Sequence, residues 1–171
     1  IDDYCEEKVV MKIRTATIVD LQAVTAVEAE CFPPAEAATE KDFEGRLKAY
    51  GNHFLLMFDE EKLIAFVNGL VTDEPDLTDE MYKKAEMHNE NGSWQMIFGV
   101  NTIPAYRKHG YAGMLIQRAI DDAKEQGRKG LVLTCKDYLV PYYKKFGFVN
   151  EGITDKSIHG DVVWNQMRLS F

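Results

Sequence analysis

No run in this chain of 171 residues is long and apolar enough to cross a bilayer, so its 46% hydrophobic residues are expected to build a globular core. Basic charge is scarce as well. Against 28 Asp and Glu stand only 20 Lys and Arg, a net charge of -8, which excludes a broad basic face and with it nucleic acid as an expected partner. Cysteine is rare and odd in number. Cys5, Cys31 and Cys135 are scattered, without the close spacing of a ligand pair, so neither a disulfide framework nor a zinc site is expected, and no other metal is expected either. Repeats and low-complexity tracts are also absent, and the length favours one domain. The start, Ile1-Asp2-Asp3, lacks the basic and apolar regions of a signal peptide, so no membrane partner is expected and the expected location is cytoplasmic. Because Met11-Lys12-Ile13-Arg14 opens the first strand-like run, residues 1–10 are expected to be a leader or cloning remnant, with a single domain over 11–171.

Periodicity supplies the elements. A strand at 12–17 precedes a helix capped by Asp20, in which Leu21, Val24, Val27 and Glu28 fall at helical intervals up to Cys31 and the stop at Phe32-Pro33-Pro34. Thr39 and Asp42 have capping-box spacing ahead of a second helix through Phe43, Leu47 and Tyr50, ended by Gly51. Runs at 53–58 and 63–71, joined by Asp59-Glu60-Glu61, read as a hairpin. The charged stretch 73–92, with a short helix near 77–85, is expected to be a mobile or substrate-facing loop. A strand at 94–102, a helix at 110–126 and a strand at 130–135 imply a parallel crossover. A brief helix at 139–146, with Pro141 in its first turn, and a final hairpin of 148–151 with 162–169 complete an α+β, layered α/β domain around a mixed sheet.

The chemistry-bearing segment is Arg107-Lys108-His109-Gly110-Tyr111-Ala112-Gly113. It lies between the apolar run Met96-Ile97-Phe98-Gly99-Val100 and a helix whose Met114, Leu115, Ala119, Ile120 and Ala123 recur at helical spacing. A helix start offers unpaired amides and the positive end of the dipole, and small residues let a phosphate come close. The segment therefore reads as a pyrophosphate seat, with an ordinary basic helix-capping loop as the alternative.

In that segment Arg107, Gly110 and Ala112 occupy the defining positions of the R/Q-x-x-G-x-G/A signature, and the chain resembles the GNAT superfamily of N-acetyltransferases. The run from Leu133 through Asp137, Leu139, Val140, Pro141, Tyr143 and Phe146 to Gly147-Phe148 is similar nearly residue for residue to a stretch of the arylalkylamine (serotonin) N-acetyltransferases. The resemblance implies the GNAT fold, a mixed, mostly antiparallel sheet of six to seven strands with a central splayed parallel pair and flanking helices. It implies acetyl-CoA as cosubstrate, lying across the strands at 94–102 and 130–135. The pyrophosphate would sit on 107–113 and the pantetheine along Phe98, Gly99 and Val100. Gly99 would mark a bulge whose freed amide serves the thioester oxygen. Tyr143 aligns with the tyrosine assigned as general acid, a phenol that keeps its proton at neutral pH. Phe32, Pro33 and Pro34 resemble the loop that sandwiches an arylalkyl group.

Two departures stand out. Where relatives carry a His-x-His pair, Trp94 and Met96 stand, neither able to accept a proton; they are expected instead to reshape the apolar acceptor wall. Glu28, Glu30, His88 or a water chain to Gln95 remain as bases. The connection 101–106 also reads as two residues longer than usual. The expected function is transfer of acetyl from acetyl-CoA to a small primary amine, an arylalkylamine among the candidates. Acetylation of a protein, a peptide or an aminoglycoside, and a non-catalytic acyl-CoA sensor, are the alternatives, and a homodimer is left open.

Overall fold

In the computed structural model, which describes residues 11–171, local chemistry sets the first elements. The leader expected at 1–10 lies outside the described residues. Strand β1 (Lys12–Arg14) is shorter than expected because the chain turns back on Asp20. That carboxylate accepts both terminal nitrogens of Arg14, at 2.9 and 2.7 Å, and the amide of Thr17 at 2.9 Å. Asp20 thus fastens the turn ahead of α1 (Leu21–Cys31) instead of capping the helix amides, and Arg14 holds its carboxyl below the usual carboxylate range. Helix α2 (Glu40–Tyr50) starts as its spacing predicts. Thr39 Oγ1 accepts the Asp42 amide at 3.2 Å and Asp42 accepts the Thr39 amide at 3.0 Å.

The hairpin follows as β2 (Phe54–Asp59) and β3 (Lys62–Asn68), with Glu60 in the left-handed region of its turn. After β4 (Val71–Thr72), the charged stretch carries α3 (Asp79–Lys83). The run expected as one strand is split at Phe98 into β5 (Trp94–Ile97) and β6 (Gly99–Thr102). Helix α4 (Tyr111–Glu125), β7 (Gly130–Cys135), α5 (Val140–Lys144), β8 (Val149–Ile153) and β9 (Asn165–Ser170) complete the order.

Two sheets result, in the orders β1-β2-β3-β6 and β4-β5-β7-β9-β8. Strands β5 and β7 run parallel from Trp94 opposite Gly130 to Ile97 opposite Leu133. Beyond Phe98 the chain leaves β7 and pairs antiparallel with β3, Gly99 opposite Asn68. The last residues of β7, Thr134 and Cys135, keep only β9 as a partner. The parallel pair is therefore splayed at its C-terminal end, as the resemblance implies. All other pairings are antiparallel. Of the connection expected at 101–106, Asn101 and Thr102 belong to β6.

The core fills the sheet faces with residues such as Phe43, Phe54, Phe66, Leu115 and Met167, all fully buried. Helix α4 covers the first sheet with Leu115, Ile116, Ala119, Ile120 and Ala123, the face its periodicity predicts. The 73–92 stretch is held down by polar contacts: Asp76 meets Lys156 and Arg168, and Asp73 meets Ser93. Among the described residues no helix is long and apolar enough to cross a membrane.

Candidate functional site

Where β5 and β7 part, a cavity of about 360 Å³ opens between Ile97 to Val100 on one side and Leu133 to Lys136 on the other. Its far walls come from the two N-terminal helices and from α3. Each of those two helices breaks its own apolar stripe to reach it. Helix α1 buries Val24, Val27 and Glu28, and α2 buries Phe43, Arg46, Leu47 and Tyr50, so one charged side chain in each stripe faces the cavity instead of water. Tyr82 closes another side, its phenol bonded to Thr134 and Ser157, and burial pushes its pKa up to about 12.

Glu28 is 6% exposed. Its Oε1 accepts from Asn101 Nδ2 and its Oε2 from the Ala38 amide, both at 2.8 Å. Burial raises its pKa, against the pull of those two bonds, so the carboxyl is a stronger base than an exposed glutamate. A Cβ placed on Gly99 would lie 3.6 Å from Glu28 Oε1, which puts this carboxylate directly beside the splayed strand. Of the four bases considered from the sequence, only Glu28 lines the cavity. Glu30 is exposed. Gln95 turns its amide to the carbonyls of Gly69, Leu70 and Met96. His88 lies apart, bonded to the Val71 amide and to Glu90.

Tyr143 lines the same cavity from α5, 7% exposed, and its hydroxyl has no hydrogen-bond partner among the described residues. Burial raises its pKa, with Cys135 and Tyr142 nearby adding to the effect, so the phenol keeps its proton across the neutral range. Tyr142 packs edge-on against Phe146.

The basic turn lies along the same wall. Arg107 Nε donates to the Thr102 carbonyl at 2.9 Å, and Cys31 of the cavity lining places its Sγ 3.4 Å from the same oxygen. Gly110 is the N-cap of α4 with φ of 79°, and Lys108 is also left-handed at 68°. No backbone acceptor among the described residues takes the amides of 108–113, the first such bond being Met114 N–H to Gly110 O. A Cβ on Gly110 would meet nothing within 4 Å, so the space over these amides is open. Lys108 and His109 are exposed there, while Tyr111, Ala112 and Gly113 begin the helix. A phosphate-bearing cosubstrate suits this donor set.

The remaining sequence-based positions divide. Phe32 and Pro33 line the cavity, whereas Pro34 is exposed outside it. Trp94 and Met96 do not line it. Trp94 stands at the opposite end of β5, under the Arg168 guanidinium at 4.5 Å, and Met96 is fully buried in the core. Phe98, at the break between strands, is the aromatic residue of this run that lines the cavity. The bulge expected at Gly99 is likewise displaced, the discontinuity falling at Phe98. Arg46, Asn68 and Tyr82 were not anticipated; a charge at a stripe position of α2 is the signal that marks Arg46.

The family model described as "Acetyltransferase (GNAT) family" matches residues 21–148. Serotonin N-acetyltransferase of Mesocricetus auratus is 28% identical over 143 residues, covering 72% of this chain and 68% of that protein. Among solved structures, the loading GNATL domain of CurA from Lyngbya majuscula superposes with a TM-score of 0.82 at 14% identity, covering 94% of this chain and 98% of that one. The PaiA N-acetyltransferase of Thermoplasma acidophilum, in complex with coenzyme A, gives 0.69 at 15% identity, over 95% of this chain and 99% of that one. With its splayed strands, its open helix-start turn and a family match over most of its length, the chain belongs to the GNAT family of acetyl-CoA-dependent N-acetyltransferases.

Proposed function

We propose that this acetyltransferase acts on a small primary amine that enters beside Phe32, Pro33 and Phe98, with Glu28 as general base and Tyr143 as general acid. The observation that carries the reading is that a buried carboxylate and a buried, unbonded phenol line one cavity at the splay. Acetyl-CoA supplies the activated acetyl thioester. The chain's residues manage the protons around it. An alkylamine is mostly protonated at neutral pH, so attack requires a group that takes its proton, and Glu28 is placed to do so without the histidines of relatives. Departure of sulfur requires a proton donor, and Tyr143 carries one. The amides of 108–113, with Arg107 and Lys108, suit the pyrophosphate, and the strand edge at Phe98 to Val100 suits the pantetheine amides.

An arylalkylamine fits the partly aromatic wall and the similarity to serotonin N-acetyltransferase. A cationic protein acceptor is disfavoured, because many acids of the 73–92 stretch already have partners within the chain: Asp76 with Lys156 and Arg168, Glu80 with Lys84, Glu90 with His53 and His88. The test is thiol release from acetyl-CoA with a panel of arylalkylamines, polyamines and peptides. Small amines are expected to yield thiol above hydrolysis and peptides not. Glu28→Gln is expected to lower kcat/KM by about 10²-fold or more, the usual scale for a general base. In the wild type, the acidic limb of the pH profile is expected above the ordinary carboxylate range, since burial raises the Glu28 pKa. Unchanged activity in Glu28→Gln, or a panel with no thiol release, defeats the reading.

A further inference from the structure

Arg46 is the cavity's unused charge. It is 2% exposed and lines the cavity. One terminal nitrogen donates to Asn68 Oδ1 and the other to the Tyr82 carbonyl, each at 3.0 Å, and both acceptors are neutral. Its Nε is buried without a partner, and so is Nδ2 of Asn68 in the same network. The rings of Phe98, Phe43 and Tyr82 stand 5.0, 5.1 and 5.9 Å from the guanidinium carbon, partial compensation for a cation out of water.

The other charges around the cavity are committed. Asp42 pairs with Lys83 and Glu36 with Lys136, both at 2.9 Å. Asp79 accepts from Ser157 Oγ and the Ile158 amide, and Glu28 from Asn101 and Ala38. Among the described residues, Arg46 is the one cation of the lining without an anionic partner. No carboxylate of the described residues lies within ion-pair distance of the guanidinium, although Glu28 feels its charge, and its planar fork of donors matches a carboxylate.

We propose that the cavity recognises a carboxylate on the substrate, with Arg46 as its counter-ion and Asn68 Nδ2 as a second donor. The proposal rests on the amine-acetyltransferase reading and narrows its substrate class. The geometry favours a compact ligand. From the Cβ position of Gly99, Asn101 Oδ1 is 3.4 Å away, Glu28 Oε1 3.6 Å and Asn68 Nδ2 3.9 Å. The free donor and the base therefore stand near one point on the strand, and the unpartnered Asn101 oxygen beside them is able to accept an N–H. A small amino acid, with its amine toward Glu28 and its carboxylate toward Asn68 and Arg46, spans such a gap. The same carboxylate chemistry also arrives on the acyl group of a dicarboxylic thioester.

Two arms separate these sources. In the first, wild-type protein with acetyl-CoA is given matched acceptors: a free amino acid, its methyl ester, and the amine with the same side chain but no carboxylate. In the second, one neutral amine is held constant while acetyl-CoA is compared with malonyl-CoA and succinyl-CoA. In one arm the carboxylate-bearing member is expected to be favoured by about 10-fold or more in kcat/KM, the scale of a charge-assisted bond. Arg46→Gln is expected to bring that ratio to about one, and Asn68→Leu to reduce it. Equal use, or preference for the neutral member, in both arms of the wild type overturns the proposal whatever the variants do. If no acceptor releases thiol, the catalytic reading fails by itself. Calorimetry of the same acceptors on CoA-loaded protein, and of the three thioesters on the free protein, then decides the carboxylate site: tighter binding of a carboxylate member upholds it, and no difference overturns it.

Discussion

At the scale of the residue, burial does most of the chemical work. Tyr143 and Glu28 are both shifted upward, with opposite consequences: the phenol is held in its acid form and the carboxyl becomes a better proton acceptor. Tyr143→Phe isolates the first effect. The hydroxyl has no partner among the described residues, so its loss leaves no buried group newly unpaired and the fold is expected to be unaffected. Turnover is expected to fall by about 10²-fold, the contribution of a positioned acid, with CoA affinity within about twofold of wild type. Steady-state kinetics and CoA titration of the variant check this, and equal turnover removes Tyr143 from the mechanism.

At the scale of the element, the start of α4 is a conformational requirement as much as a chemical one. Gly110 sits at φ of 79°, where a β-branched residue is strained by roughly 1–2 kcal/mol, while asparagine tolerates the left-handed region. A Cβ there meets nothing within 4 Å in the protein, so no clash with the rest of the chain adds to that strain. Gly110→Val is expected to weaken CoA binding by about 10-fold or more, as the strain alone would do if relieved by local refolding. Gly110→Asn is expected to bind markedly better than Gly110→Val, and CoA titration of the two variants ranks them. This element was legible in the sequence because helix caps and glycine turns are local, and so were α2, through Thr39 and Asp42, and β7, whose bounds match the expected run. What escaped was non-local. Trp94 and Met96 do not reach the cavity because both lie on β5 before the break, Trp94 under Arg168 and Met96 in the core, a facing that strand alternation alone does not show. Arg46 was overlooked because an arginine in an amphipathic helix ordinarily reads as solvated, and only the stripe of Phe43, Leu47 and Tyr50 shows that it points inward. The resemblance points to Tyr143 and the turn but to no base; Glu28 is one of four candidates along the sequence, and the packing of α1 beside Gly99 is what singles it out.

At the scale of the whole molecule, a polar knot away from the cavity ties the two sheets together. His53, just before β2 of the first sheet, and His88, from the 73–92 stretch, both bond Glu90 at 2.7 Å. His88 also accepts the Val71 amide of β4 on Nδ1 at 3.0 Å, so the ring is neutral with its proton on Nε2. This tautomer disfavours a metal at Nε2 even though the three side chains cluster, because both ring nitrogens are already engaged. Burial lowers the His88 pKa, aided by His53 and Arg128, against the opposing pull of Glu90. Burial alone would raise Glu90, yet its bonds to His53, His88 and Asn52 hold it below the usual range. Both shifts have the same sign for folding. A group whose folded pKa is depressed leaves the unfolded chain binding more protons, so its stabilisation is present above the unfolded value and lost as pH falls. For His88 the loss begins near pH ~6.5, and for Glu90 near pH ~4.3. Protonating His88 Nδ1 also takes the acceptor from the Val71 amide, which loosens β4 and the stretch that carries Tyr82 to the cavity. Urea denaturation is therefore expected to show stability falling as pH drops from 7 to 5.5, with a slope of at most about 1.4 kcal/mol per pH unit for the one proton taken up. His88→Gln is expected to be less stable at pH 7 and to lose most of that slope. A wild-type stability that stays flat over this range, or a variant that keeps the full slope, shows that the knot does not govern the acid response.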